Sequence, residues 1–123
     1  MLFPVLAAAA LAANLTVPTG ETWLFRVSHG QPTAAHRAEA NSVPRRGEIR
    51  VTARRMLGTT LTMLNNSPTP YTFRATLFGA DGKAITGKSC VLPADNRLTM
   101  ESWPQVAVAV RIGDFKPTKS ANC

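Results

Sequence analysis

The chain has 123 residues, of which 45% are hydrophobic and 17% are charged. This length favours one domain with a core of its own, and this composition excludes an intrinsically disordered chain. Fourteen lysines and arginines against seven acidic residues give a formal net charge of +7. That charge favours acidic partners and carries no information about the fold.

The first twelve residues have the character of an export signal. An apolar run ends in small residues, and Ala10-Leu11-Ala12 fits the small-x-small pattern of a signal-peptidase site. The run is too short to cross a bilayer as a helix. No lysine or arginine precedes it, so either the α-amino group supplies the positive charge or the true start lies further upstream. We expect residues 1–12 to be a cleaved signal and residues 13–123 to be a single domain; the alternative is a buried N-terminal strand or helix.

Two cysteines, Cys90 and Cys123, give the even count that indicates a disulfide in an exported chain. A bond between them would tie the C-terminal residue to the body of the domain and stabilise it by about 3–4 kcal/mol. The alternative is two unrelated thiols in a cytosolic protein, which the expected export signal disfavours. We therefore expect a Cys90–Cys123 disulfide and a periplasmic or secreted location.

From residue 15 onward the sequence alternates with a period of two, and the first half-buried strand is predicted at residues 22–27. Turn residues 29–32 separate this first strand from residues 33–40, which we interpret as a returning strand although their alanines also suit a helix. A loop over 41–47 leads to a strand at 48–55, and after Gly58 the alternation resumes over 59–64. The predicted inward residues are Trp23, Phe25, Val27, Ile49, Val51, Ala53, Leu61 and Met63.

The second half of the chain continues the same pattern. A proline-rich loop at 65–70 precedes a strand from Tyr71 to Leu77, and Asp81-Gly82 then predicts a hairpin turn. A strand over 84–92, interrupted at Gly87, and a turn at 93–96 follow. A short strand ends at Trp103-Pro104, and a last strand and a polar tail complete the chain. The predicted inward residues are Tyr71, Phe73, Ala75, Leu77, Leu98, Met100, Val106, Val108, Val110 and Ile112.

Seven or eight short strands at a spacing of about ten residues predict an all-β, antiparallel sandwich. A parallel sheet is disfavoured because it needs crossover helices, and no long segment has a helical stripe. The order of an Asn-Ser loop, a Tyr-x-Phe strand, an Asp-Gly hairpin, a Cys-bearing strand and Glu101–Pro104 resembles immunoglobulin-like periplasmic modules of bacteria. This resemblance covers most of the mature chain. It implies an immunoglobulin-like sandwich and assigns no functional residues.

Five arginines between residues 45 and 55 form the most distinctive chemical feature of the sequence. Guanidinium groups bind phosphate and carboxylate through a planar fork of donors, so the cluster suits an anionic polymer or an acidic protein of the envelope. The alternative is a solvated strand face that discourages pairing between sheet edges. Nucleic acid is disfavoured because no aromatic residues are interleaved for stacking. The cluster consists of Arg45, Arg46, Arg50, Arg54 and Arg55.

Two further functions have weaker support. Imidazole and thioether ligands suit copper, but the candidate residues show no diagnostic spacing, and Met63 and Met100 are better explained as core residues. A hydrolase needs a nucleophile and a base within reach, and neither a Gly-x-Ser-x-Gly motif nor a paired set of carboxylates stands out. Trp103 beside a strand end is interpreted as a core residue. The copper candidates are His29, His36, Met56, Met63 and Met100.

These observations favour an exported, non-catalytic interaction or structural module of the bacterial envelope. Its partner would be an envelope protein, bound by strand addition at a sheet edge, or an anionic polymer, bound by the arginine cluster. We expect no cofactor, no metal site and no enzymatic activity. A periplasmic copper carrier and a small hydrolase are the alternatives.

Overall fold

A computed structural model describes residues 14–119, which form nine β-strands and no helix. The predicted signal over residues 1–12 and the predicted disulfide partner Cys123 lie outside the described residues. The strands are β1 Leu15–Pro18, β2 Thr22–Ser28, β3 Gln31–Ala38, β4 Ile49–Arg54, β5 Thr59–Asn65, β6 Tyr71–Phe78, β7 Ala84–Gly87, β8 Leu98–Trp103 and β9 Ala109–Pro117.

The strands form two antiparallel sheets, which confirms the predicted all-β, antiparallel class. One sheet has four strands in the order β1-β9-β6-β7, and the other has five in the order β3-β2-β4-β5-β8. The count of nine exceeds the predicted seven or eight because β1 was not predicted as a separate strand. Within residues 14–119 there is no helix long and apolar enough to cross a bilayer.

An aromatic cluster joins the two sheets in a sandwich-like arrangement. Phe25 of the five-stranded sheet contacts Phe115 of the four-stranded sheet, with ring centroids 5.6 Å apart. Phe73 stacks on Phe115 at 5.5 Å, and Tyr71 meets its ring edge-on at 5.9 Å. Phe115 is 2% exposed, and such buried aromatic rings contribute large apolar areas and favourable ring geometry. Phe115 thus contacts residues of both sheets within their shared core.

A β-bulge in β9 is what turns Phe115 towards the core. Thr72 pairs with Lys116 and Arg74 with Gly113, so two residues of β9 oppose one residue of β6. Asp114 takes a φ of 52° in this bulge, and the extra residue reverses the phase of alternation that Val110 and Ile112 establish. The Phe115 amide also donates to the Gly30 carbonyl at 2.7 Å, which ties the bulge to the β2–β3 turn.

Several predicted elements are confirmed. Residues 33–40 lie largely in strand β3, and Asp81-Gly82 forms the turn between β6 and β7, where Gly82 has a φ of 83°. Trp103 is 7% exposed, and its indole Nε1 donates to the Lys88 carbonyl at 2.8 Å. It is therefore the core residue that was predicted, with its polar atom satisfied.

The prediction of an inward position is wrong for four residues. Leu98 and Met100 are 60% and 61% exposed because β8 pairs them with Leu64 and Thr62 on the outer face of the sheet. The inward positions of β8 belong to Thr99, Glu101 and Trp103.

Val106 and Val108, 55% and 40% exposed, precede β9 and do not belong to its alternation. The segment between Pro104 and Ala109 has its own conformation, in which Ala107 is the buried residue. The strand predicted over 84–92 also differs, since β7 ends at Gly87.

Replacing Phe115 by alanine is expected to destabilise the domain by about 3–5 kcal/mol, because a fully buried ring is removed from a contact between both sheets. Urea unfolding of the full chain measures this loss. Val43→Ala is the control, since Val43 is 79% exposed and its truncation should cost less than about 0.5 kcal/mol. A loss below about 1 kcal/mol for Phe115→Ala would contradict the central position of this ring.

Candidate functional site

The five arginines occupy the two ends of β4. Arg45 and Arg46 lie in the loop before the strand, Arg50 lies near its start, and Arg54 and Arg55 lie at its end. Arg50 and Arg54 share the outer face of the sheet, but four residues of extended chain separate them by about 13 Å. The structure therefore resolves the predicted cluster into two basic groups.

The first basic group stands on an ordered loop that connects β3 to β4 across the outer side of β2. The Arg50 guanidinium donates to the Ser42 carbonyl at 2.7 Å, and the Arg26 guanidinium donates to the Arg46 carbonyl at 3.1 Å. The backbone amide of Arg45 donates to the Glu48 carboxylate at 2.7 Å. Arg50 is thus committed to holding the loop, whereas the side chains of Arg45 and Arg46 are exposed.

The second basic group lies where β4 ends and the β4–β5 loop begins. Arg54 and Arg55 are exposed, and the loop continues through Met56 and Leu57, which are 50% and 99% exposed. Gly58 closes it with a φ of 105°, and a side chain there would collide with the carbonyl of Trp103. Glycine is therefore required for this close approach.

The charge of both groups is left uncompensated by ion pairs within residues 14–119. The two ion pairs of this part of the chain join Arg37 to Glu21 and Arg74 to Asp114, each at 3.6 Å. Neither includes an arginine of the predicted cluster. Four guanidinium groups therefore remain available to an anionic ligand, at Arg45, Arg46, Arg54 and Arg55.

Sequence reasoning missed a second feature, a cleft of about 550 Å³ beside the inner side of β8. Glu101, Cys90, Arg97 and Lys119 contribute to its lining. The Glu101 carboxylate accepts a hydrogen bond of 2.6 Å from the backbone amide of Cys90. Burial raises the pKa of Glu101, and this bond lowers it by a smaller amount. The sequence could have indicated this carboxylate, since Glu101 lies two residues before Trp103 and so shares its inward face of the strand.

The copper candidates do not converge. Met63 is fully buried in the core, whereas Met56 and Met100 are exposed. His36 on β3 and Met100 on β8 lie at opposite edges of the five-stranded sheet, about 19 Å apart at the usual strand spacing. Among residues 14–119, no group of three or more His, Cys, Asp or Glu side chains is placed to hold a metal ion.

Both histidines of the sequence, His29 and His36, are exposed. His29 sits in the β2–β3 turn with a φ of 53°, and His36 Nδ1 lies 3.4 Å from the Ala34 carbonyl. None of the hydrogen bonds described for residues 14–119 joins either ring to a serine or a carboxylate. The structure therefore does not bring a nucleophile and a histidine base together in this part of the chain.

Comparison with known proteins gives no match: no family model, curated protein or solved structure is similar to this chain. Function is therefore inferred from the charges, burial and contacts of its own residues.

Replacing Glu101 by glutamine is expected to raise the free energy of unfolding, relative to the original chain, more at neutral pH than at acidic pH. Because burial raises the pKa of Glu101, the folded state prefers the protonated carboxyl. The cost of ionising it is absent below the unfolded pKa of about 4.3 and develops as the pH rises through the higher folded pKa. Glutamine keeps an oxygen for the Cys90 amide and carries no charge.

Urea unfolding at about pH 3.5 and about pH 7 measures the effect, because these values lie below and above the ordinary pKa of a glutamate. The stability of Glu101→Gln relative to the original chain should be greater at the higher pH. Glu39→Gln, at an exposed glutamate, is the control and should show no such difference. The same relative stability of Glu101→Gln at both pH values would exclude a buried, titrating carboxylate.

Proposed function

We propose that this chain is an exported, non-catalytic module that binds anionic surfaces of the bacterial envelope through the arginines at the two ends of β4. The observation that carries the proposal is the exposure of Arg45, Arg46, Arg54 and Arg55 without an ion pair in residues 14–119. The net charge of +7 adds a long-range attraction to the same partners.

The proposed envelope location has separate support. The sequence of residues 1–12 fits a signal peptide, and the even number of cysteines fits one disulfide between Cys90 and Cys123. An immunoglobulin-like arrangement is part of the same proposal, supported by two antiparallel sheets of four and five strands. A rigid body of this kind holds its arginines in fixed positions, which lowers the entropy cost of binding.

A protein partner that adds a strand at β8 is the second candidate. This edge strand of the five-stranded sheet exposes Leu98 and Met100 on its outer face, and exposed apolar side chains on a sheet edge suit strand addition. A partner whose binding is unaffected by Met100→Pro, which removes a backbone donor from the free edge of β8, would exclude this mode.

Binding to polyphosphate, a soluble polyanion, tests the arginine proposal. The variants Arg45→Gln/Arg46→Gln and Arg54→Gln/Arg55→Gln should each weaken binding roughly tenfold, because two phosphate contacts are lost in each. The affinity of the original chain should fall steeply with salt, and the variants should show a smaller salt dependence.

The control for this measurement removes the same charge elsewhere. Lys88→Gln/Lys116→Gln takes two exposed positive charges from outside the β4 region and should weaken binding much less. An equal loss in the control pair would show that total charge, and not the position of the arginines, governs binding.

A further inference from the structure

One end of the molecule exposes four large apolar side chains beside the second basic group. Leu57 is 99% exposed, Val106 55%, Met56 50% and Val108 40%. These residues come from two separate segments, the β4–β5 loop and the segment before β9. Large apolar residues gathered at one place on a surface mark an interaction site, whereas scattered ones need no explanation.

Hydrogen bonds establish that the two segments share this end. The Thr59 hydroxyl donates to the Gln105 carbonyl at 2.7 Å and accepts from the Ala107 amide at 2.8 Å. The Thr19 amide donates to the Val108 carbonyl at 2.9 Å, and the Gly20 amide donates to the Ala53 carbonyl at 2.7 Å. The exposed side chains are therefore held on one ordered set of loops.

The charge at this end is positive. Arg54, Arg55 and Lys83 are exposed there. Lys83 belongs to the β6–β7 turn, and this turn follows Phe78, whose carbonyl accepts a hydrogen bond from the Val108 amide. The acidic residue of that turn, Asp81, accepts a hydrogen bond of 3.0 Å from the Lys83 amide. Glu21, in the β1–β2 turn, pairs with Arg37 at 3.6 Å. Basic groups therefore outnumber free carboxylates around the apolar residues.

The projecting loop presents Leu57 directly to the surroundings. Its φ of 47° lies in the left-handed region, which is unfavourable for a residue with a side chain. The neighbouring Gly58 packs closely on the Trp103 and Pro104 backbone, which holds the base of the loop against the end of β8. An exposed leucine in this conformation does not stabilise the fold, and its exposure therefore points to contact with an apolar phase.

We propose that this end of the molecule docks on an anionic lipid bilayer, with Leu57 and Met56 entering the acyl region and Arg54 and Arg55 contacting lipid phosphates. The inference rests on the proposed function, because it names the lipid bilayer as the anionic surface. Apolar residues flanked by arginines match the layered chemistry of a bilayer, in which phosphates lie above hydrocarbon. A projecting tip also suits a fluid phase, which needs no pocket of matching shape.

Co-sedimentation of the full chain with phosphatidylglycerol vesicles tests this inference. Leu57→Asn should lower the partition coefficient roughly tenfold, because a side chain that leaves water in the bound state is made polar. Asparagine tolerates a positive φ, so the fold is expected to be retained. Binding of the same variant to polyphosphate should be unchanged, since its arginines are intact. Met56→Gln gives a second, independent measurement of the same kind.

Val43→Asn is the matched control. It removes another exposed apolar side chain, 79% exposed, from the loop before β4, and it should leave the partition coefficient unchanged. Neutral phosphatidylcholine vesicles should bind the original chain much more weakly than phosphatidylglycerol vesicles, because the choline group balances the charge of each phosphate and the surface has no net negative charge.

The outcomes separate this inference from the proposed function. Equal vesicle binding by Leu57→Asn, Met56→Gln and the original chain would overturn insertion, while arginine-dependent polyphosphate binding would still support the proposed function. A chain that binds neither polyphosphate nor phosphatidylglycerol vesicles would overturn both. Self-association that Leu57→Asn abolishes, without vesicle binding, would assign this end to a second copy of the chain.

Discussion

The contact between Phe25 and Phe115 is the constraint on which the rest of the structure depends. It places one aromatic ring from each sheet at the centre of a shared core, and Tyr71 and Phe73 complete the cluster around Phe115. Burial of such rings is the main favourable term that this small domain has available against the entropy of ordering its chain. The contact lies within a continuous buried cluster that includes residues of both sheets.

The bulge at Asp114 links this core to the surface. The bulge adds one residue to β9 and thereby directs Phe115 inward. The Asp114 carboxylate also accepts a hydrogen bond from the Gln31 side chain at 3.0 Å. The β2–β3 turn and the β6–β9 pair are thereby fixed to each other. Because β2 also pairs with β4, the strand that carries the two arginine groups is attached to the strand that contributes Phe25 to the core.

Much of the fold could be predicted from the sequence, because alternation and turn residues act locally. Ile49, Val51 and Ala53 are buried as predicted, and Asp81-Gly82 makes its hairpin because this dipeptide tolerates the required backbone angles. The errors arise where the phase of alternation changes without a local signal. An irregular connection before β8 places Leu98 and Met100 on the outer face, since a shift of one residue exchanges the two faces of a strand.

The candidate site could be predicted in composition but not in arrangement. The sequence indicates five exposed arginines; the structure divides them between the two ends of β4 and commits Arg50 to the Ser42 carbonyl. The exposure of Leu57 could not be predicted, because hydrophobicity alone favours burial. Leu57 precedes Gly58, whose close contact with the backbone near Trp103 depends on the pairing of β5 with β8.

The packing of the two sheets is tested most directly by nuclear Overhauser contacts between assigned ring protons in the full chain. With ring centroids 5.6 Å apart, Phe25 and Phe115 should give strong contacts, and Phe73 should give them with Phe115 as well. Contacts of Phe115 with Phe73 but none with Phe25 would show that the sheets do not share this core, and would contradict the two-sheet packing described above.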